Sequence, residues 1–266
     1  MKVEVLVAAV NEDVRTLAEK MNLETEAVIV NQCDHYDYTE YEHNDRRIRC
    51  FSMAERGVGL SRNTSLLRAC EDIVLFGDED VVLEHGYEQR ILDAFSRNPD
   101  ADVITFNVKV DPRRKTYYNT KNHRIRFYNY GRYPAYAIAA KRKSLHGAGV
   151  TFSLLFGGGA KYSNGEDSLF LHDCLKRGLH LYADTTEIGE EIYRESTWFN
   201  GYTEKFFRDR GVLYHFLYGR LALVWTWRFL LAKKKVMCSE TGVKQAYKWM
   251  KSGIREGKYY RKGTDN

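Results

Sequence analysis

Three consecutive acids, Asp78, Glu79 and Asp80, close a short apolar run, "IVLFGDED", and a second acidic pair, Glu166–Asp167, follows a glycine-rich stretch, "FGGGAKYSNGED". Like charges held that close repel, and desolvating them is costly unless a cation or hydrogen-bond donors compensate. A solvated loop tolerates such a cluster, whereas a metal site requires one. A D-x-D at a strand end can hold a hard divalent cation through oxygen ligands, and that cation can neutralise a diphosphate. In that reading Asp80 is the direct ligand, and Asp78 lies nearer a nucleotide ribose or a metal-bound water. A carboxylate at a helix N-terminus is stabilised as the anion, so Asp167 could act as a base toward a substrate hydroxyl that reaches it. Upstream, "GVGLSRNTSL" puts Arg62 at the entry of a helix, where its guanidinium can pair with Asp78 or a diphosphate. Asn63 beside it can fix the adjoining loop.

These groups need a frame, and the apolar pattern supplies one. Val3 to Val10 is a nearly continuous Val-rich run, which suits a strand buried on both faces. Glu12 to Met21 carries apolar residues at helical spacing; Glu26 to Asn31 and "RIRCF" read as further strands. Leu60 to Ala69 reads as a helix, Asp72 to Phe76 as a strand ending at the acids, Tyr87 to Phe95 as a helix and "DVITFNVKV" as a strand. Arg113 to Lys143 breaks this rhythm and reads as short strands and loops, a candidate substrate-specific insertion. Ser163 or Asn164 can cap a helix that ends at Gly178, and "LHLYA" is one more strand. Strands alternating with helices predict an α/β domain with a mostly parallel sheet. Ligands of such sheets bind outside the carboxyl ends of the strands. "NED" (Asn11 to Asp13), "NQCD" (Asn31 to Asp34) and "DED" all fall at such ends, so three polar clusters are expected on one rim.

Composition narrows the classes. With 266 residues and 44% hydrophobic residues the chain can build a large core, which excludes global disorder. The five cysteines are widely spaced without a C-x-x-C pair, which argues against a zinc framework or a disulfide scaffold. The N-terminus lacks the charged, apolar and small-residue regions of a secretory signal, so a reducing, cytoplasmic setting is expected. The net charge of +5 is uneven, with "KKK" and a run of Lys and Arg after Ala232. Such a tail favours anionic partners. No nucleic-acid recognition motif accompanies it, so an anionic membrane surface is the better candidate and nucleic acid is not expected.

Taken together, "VEVLVAAVNED", "GVGLSRNTSL", "IVLFGDED" and "FGGGAKYSNGEDSLF" resemble, in order and spacing, the family 2 glycosyltransferases, the inverting nucleotide-sugar enzymes of the GT-A fold. The resemblance covers roughly residues 3 to 185. It implies a nucleotide-sugar donor whose base lies near Val10, Asn11 and Glu12, with Asp34 on the base or ribose and Arg62 and Asn63 on the donor side. It implies Mn2+ or Mg2+ on Asp78 and Asp80, Asp167 as general base and Glu166 as its neighbour. Two features depart from the family pattern. Many relatives carry a His soon after the strand matching "LHLYAD", and "TTEIGEEIYREST" has none, so a third metal ligand is unassigned. The second strand ends "NQCD" rather than in paired acids.

The resemblance also implies an acceptor hydroxyl on a glycan or a polyprenyl-linked saccharide of polysaccharide biosynthesis. Residues 1–195 are expected to form the catalytic domain, and 196–266 a helical, aromatic and basic extension for acceptor or membrane contact. Tyr214 to Ala232, the most apolar window, carries His215, Arg220 and Arg228, which fits docking on the domain or on a membrane surface better than crossing one. A nucleotidyltransferase is a competing reading, although "AAVNEDVR" lacks the glycine-rich basic loop that holds a triphosphate. A non-catalytic nucleotide-sugar-binding protein is another.

Overall fold

The computed structural model describes residues 1–112, 117–193 and 201–262, with side chains described as far as Tyr260. These residues form two compact units, Met1–Leu154 with Glu166–Glu195, and Leu155–Gly165 with Ser196–Asn266. The boundary expected at residues 195 and 196 lies outside the described residues.

The first unit is built on a ten-stranded sheet. Strands β1 (Val3–Val10), β2 (Glu26–Gln32), β3 (Asp37–His43), β4 (Arg46–Met53), β5 (Ile73–Asp78), β6 (Val81–Leu83), β7 (Val103–Lys109), β9 (Ile138–Lys141) and β10 (Leu181–Glu191) lie in the order β3-β4-β2-β1-β5-β9-β7-β10-β6, and β8 (His123–Ile125) pairs with β10. β1 is parallel to both neighbours, β2 and β5, and is covered on both faces, which is why it reads as an unbroken apolar run. Its one acid, Glu4, is buried but satisfied, with Arg49 Nη2 at 2.6 Å and the Cys70 N–H at 2.6 Å. β3 alternates exposed and half-buried residues and carries Asp37, Glu40 and Glu42, the charge pattern of an edge strand that resists pairing with another chain.

Strands β1, β2, β4, β5, β7 and β10 run in one direction, so their carboxyl ends share a rim. Helices α1 (Val14–Lys20) and α3 (Tyr87–Arg97) cover one face, where Leu17, Tyr87 and Ile91 pack with Val5, Ile29 and Leu75. On the other face lie α2 (Val58–Arg68), α4 (Arg142–Ala148) and α5 (Glu166–Lys176). α5 ends as the glycine predicts: Gly178 takes φ +83° and its N–H donates to the Leu175 carbonyl at 3.1 Å.

The described part of the stretch between 113 and 143 forms short strands, and one of them, β9, is buried and inserted antiparallel between β5 and β7 in mid-sheet. The window from Tyr214 to Ala232 is not one helix. In the second unit α6 (Glu204–Tyr218) stops at Gly219, a short turn spans Gly219–Leu221, and α7 (Ala222–Met237) begins anew, followed by α8 (Val243–Lys262). Gly219 takes φ +52°, ψ −117°, which breaks the helix. No helix among the described residues is long and apolar enough to cross a membrane.

Candidate active site

Side chains two apart on a strand share a face, so Asp78 points to the same side as Phe76, the side covered by α2 and α5. Arg62, on α2, reaches it there: Nη2 donates to Asp78 Oδ1 at 2.7 Å, and Nη1 donates to Glu166 Oε1 at 3.1 Å. One guanidinium therefore joins the two acidic groups, which are 88 residues apart in the chain (166 minus 78). Burial opposes the charge on Arg62, but Asp78 and Glu166 outweigh it and keep the group firmly protonated. Its Nε–H is buried without a hydrogen-bond partner among the described residues.

Asp167 opens α5 beside this bridge. Desolvation raises its pKa to about 7, and the Glu166 charge adds to the rise while Arg62 opposes it. A carboxyl poised there is half ionised near neutral pH and is a far stronger base than an ordinary aspartate.

Beneath the charges lies an aromatic group that sequence reasoning missed. Phe152 stacks on Phe170 of α5 with centroids 4.1 Å apart and planes 6° apart, and it meets Phe76 of β5 edge-on at 5.0 Å. The Arg62 guanidinium lies 5.3 Å from the centre of the same ring. Phe152 thus touches all three elements that deliver Asp78, Arg62 and Asp167. Asn63 fixes its backbone from both sides: Nδ2 donates to the Phe152 carbonyl at 2.9 Å and Oδ1 accepts from its N–H at 2.7 Å. Asn63, expected to contact a donor, has its amide committed to this framework. Gly59 permits the close approach, since a Cβ there would lie 2.3 Å from the Ser153 carbonyl oxygen. The signal was available only as "RN" on α2; nothing local pairs it with Phe152.

The remaining expected residues line the rim further along. Val10 ends β1, and Asn11 follows with φ +54° and its N–H on the Gln32 carbonyl at 3.1 Å. The Glu12 N–H donates to Asn31 Oδ1 at 3.1 Å and its carbonyl accepts from Asn31 Nδ2 at 2.9 Å, which ties the ends of β1 and β2 together. Asp34 lies just past β2 with its side chain exposed, and a hydrogen bond from His35 holds its carboxyl below the usual range. At the far end the Ile192 N–H donates to the Asp80 carbonyl at 2.7 Å. Beside it a cavity of about 570 Å³ is lined by Val82, Glu84, Asp111, Glu190, Ile192 and Tyr193.

Asp78 and Asp80 offer oxygen ligands only, the donor set that suits Mg2+ or Mn2+. Asp78 spends Oδ1 on Arg62, so a cation there would draw on its other oxygen, on Asp80 and on a ligand's own phosphates. Among the described residues one group brings three ligand types within 4.8 Å, Cys33, Asp34 and His35. Its thiol and imidazole suit a softer transition metal than the cation of a diphosphate site.

A sequence model of glycosyl transferase family 2 matches residues 7–156. The chain belongs to this family. It is a glycosyltransferase using a nucleotide-sugar donor, and the nucleotidyltransferase and non-catalytic alternatives fall away. The matched range includes Arg62, Asp78 and Asp80 and stops short of Glu166 and Asp167. No match is found among curated proteins. Among solved structures, residues 1–349 of S. aureus TarS in complex with UDP-GlcNAc align at TM-score 0.62 and 15% identity, covering 90% of this chain and 74% of that one. The same TarS segment without ligand gives TM-score 0.62 and 14% identity over 95% and 79%. Its UDP complex gives 0.55 and 16% over 81% and 66%. At such identity the likeness speaks for the fold, which is GT-A.

Proposed function

We propose that this family 2 enzyme transfers a sugar with inversion from a nucleoside diphosphate donor to an acceptor hydroxyl, with Asp167 as the general base. The observation that supports this reading is the Arg62 bridge, which joins Asp78 of the D-x-D to Glu166, the neighbour of Asp167. Asp167 accepts the acceptor's hydroxyl proton as that oxygen attacks the anomeric carbon. The bond from the anomeric carbon to the diphosphate oxygen breaks in the same displacement, and its electron pair leaves with the nucleoside diphosphate. Burial keeps Asp167 basic, and the neighbouring charge of Glu166, itself paired with Arg62, adds to that effect. Asp78 and Asp80 would hold Mn2+ or Mg2+, and that cation, when bound, offsets the charge of the leaving diphosphate. The unpaired Nε–H of Arg62 suits a phosphate oxygen. Val10, Asn11, Glu12 and Asp34 would flank the nucleoside on the same rim.

The donor class follows the TarS likeness: a UDP-sugar is the first to test. The cavity beside Asp80 has the volume of a saccharide subsite, and its mixture of carboxylates with Tyr193 suits sugar hydroxyls. The acceptor is proposed as a glycan or polyprenyl-linked saccharide of polysaccharide biosynthesis, met at the cytoplasmic face of a membrane by the helical extension. The test is release of nucleoside diphosphate from a panel of nucleotide sugars, UDP-GlcNAc first, with and without Mn2+, and the anomeric configuration of the product by NMR. Metal-dependent release with an inverted product is expected. Release from no donor, or a product of retained configuration, refutes the proposal.

A further inference from the structure

α7 contains no acidic residue in its 16 positions and four basic ones, Arg228, Lys233, Lys234 and Lys235. Its inner side is defined by Ala222, Thr226 and Leu230, spaced four apart and buried. The outer side breaks the usual rule for a helix of a globular domain, which puts polar groups there. Leu223, Val224, Trp227 and Leu231 are 38, 64, 43 and 58% exposed. At about 100° per residue these four fall within an arc of about 100° on the helix surface. Lys234 lies within that arc, and Arg228 and Lys235 border it, all three exposed. The Trp227 ring is held in this orientation by stacking on Tyr247 of α8, with centroids 4.4 Å apart. α8 adds exposed Lys244, Lys248, Arg255 and Lys258, and its one acid, Glu256, is tied to Arg208 at 2.8 Å.

An apolar stripe framed by basic side chains can be covered by lipid or by protein. A second copy of the same face would set lysines against lysines. An anionic bilayer offers hydrocarbon to the stripe and phosphate to the lysines, whose alkyl stems reach the headgroups while their ammonium groups stay wet. We propose that the outer face of α7, centred on Val224, Trp227 and Leu231, docks in the plane of an anionic lipid surface. This names the face and the lipid charge behind the membrane-side reading given above.

The test measures lipid binding without sugar transfer, so its failure leaves the transferase reading standing. The full chain is sedimented with phosphatidylcholine vesicles with and without phosphatidylglycerol, at low and high salt. Binding is expected only with phosphatidylglycerol and is weakened by salt. Lys234→Ala with Lys235→Ala should weaken it roughly 25-fold. Leu231→Asp, at an exposed position, should abolish it while circular dichroism and nucleotide binding stay parental. The proposal fails if the parent does not bind these vesicles, or if both variants bind as the parent does. It also fails if the parent forms a dimer that Leu231→Asp dissolves, since the face then covers a second copy.

Discussion

Replacing Asp167 by Asn tests the proton-transfer role and the burial that supports it in one variant. The carboxyl titrates near 7 in the folded protein, against about 3.9 in an unfolded chain. An acid whose pKa is raised by folding contributes stability that is present below about pH 4 and is lost as pH rises through 7, because the folded state must then hold an ill-solvated anion. About three pKa units correspond to about 4 kcal/mol at full ionisation, and the solvent that still reaches this half-buried side chain reduces this to about 2–3 kcal/mol. Asparagine keeps the shape without the charge. The variant should therefore be about 2–3 kcal/mol more stable than the parent at pH 8 and nearly equal to it at pH 4, read by urea unfolding at both. Its transfer rate should fall by about two orders of magnitude or more, with donor binding retained. In the parent, kcat/KM should decline below about pH 7 as the base takes up its proton. Transfer by Asp167→Asn at a near-parental rate would refute the assigned role. A stability profile parallel to the parent's at both pH values would refute the argument from desolvation.

Arg62→Met leaves Asp78 and Glu166 uncompensated around an apolar side chain, and should cost about 3–5 kcal/mol in chemical unfolding, with part restored by adding Glu166→Gln. Asp80→Ala should remove the Mn2+-dependent part of UDP binding in calorimetry, at least about tenfold, and leave the metal-free part unchanged. Asn63→Ala strips both partners from the Phe152 backbone and should cost about 1–3 kcal/mol. It should also lower kcat more than it raises the donor KM, because Phe152 supports the helix that carries the base rather than the donor itself.

The strands and helices that a local pattern can specify were legible in the residue order. Val3 to Val10 is apolar at nearly every position because it is covered on both faces, and Gly178 marks a helix end because only that residue takes its positive φ without strain. The acids at the end of β5 and the pair opening α5 were legible as two chemical groups, and their order along the chain pointed to the family. The edge strand β3 and the inserted strand β9 were not. β3 is held by pairing with β4 despite its charges, and β9 is four residues long, too short for a period to emerge. The break at Gly219 was hidden inside an apolar window because hydropathy is blind to a backbone angle. Sequence alone offered candidates for binding a cation and holding a proton, and a window that could meet lipid. Only the folded chain decided that one arginine joins Asp78 to Glu166, that Phe152 underlies both, and that Leu223, Val224, Trp227 and Leu231 face outward. The physical reason is range. Helix and strand periods are set by neighbours within a few residues, whereas these contacts and exposures depend on elements far apart in the chain, which no local pattern records.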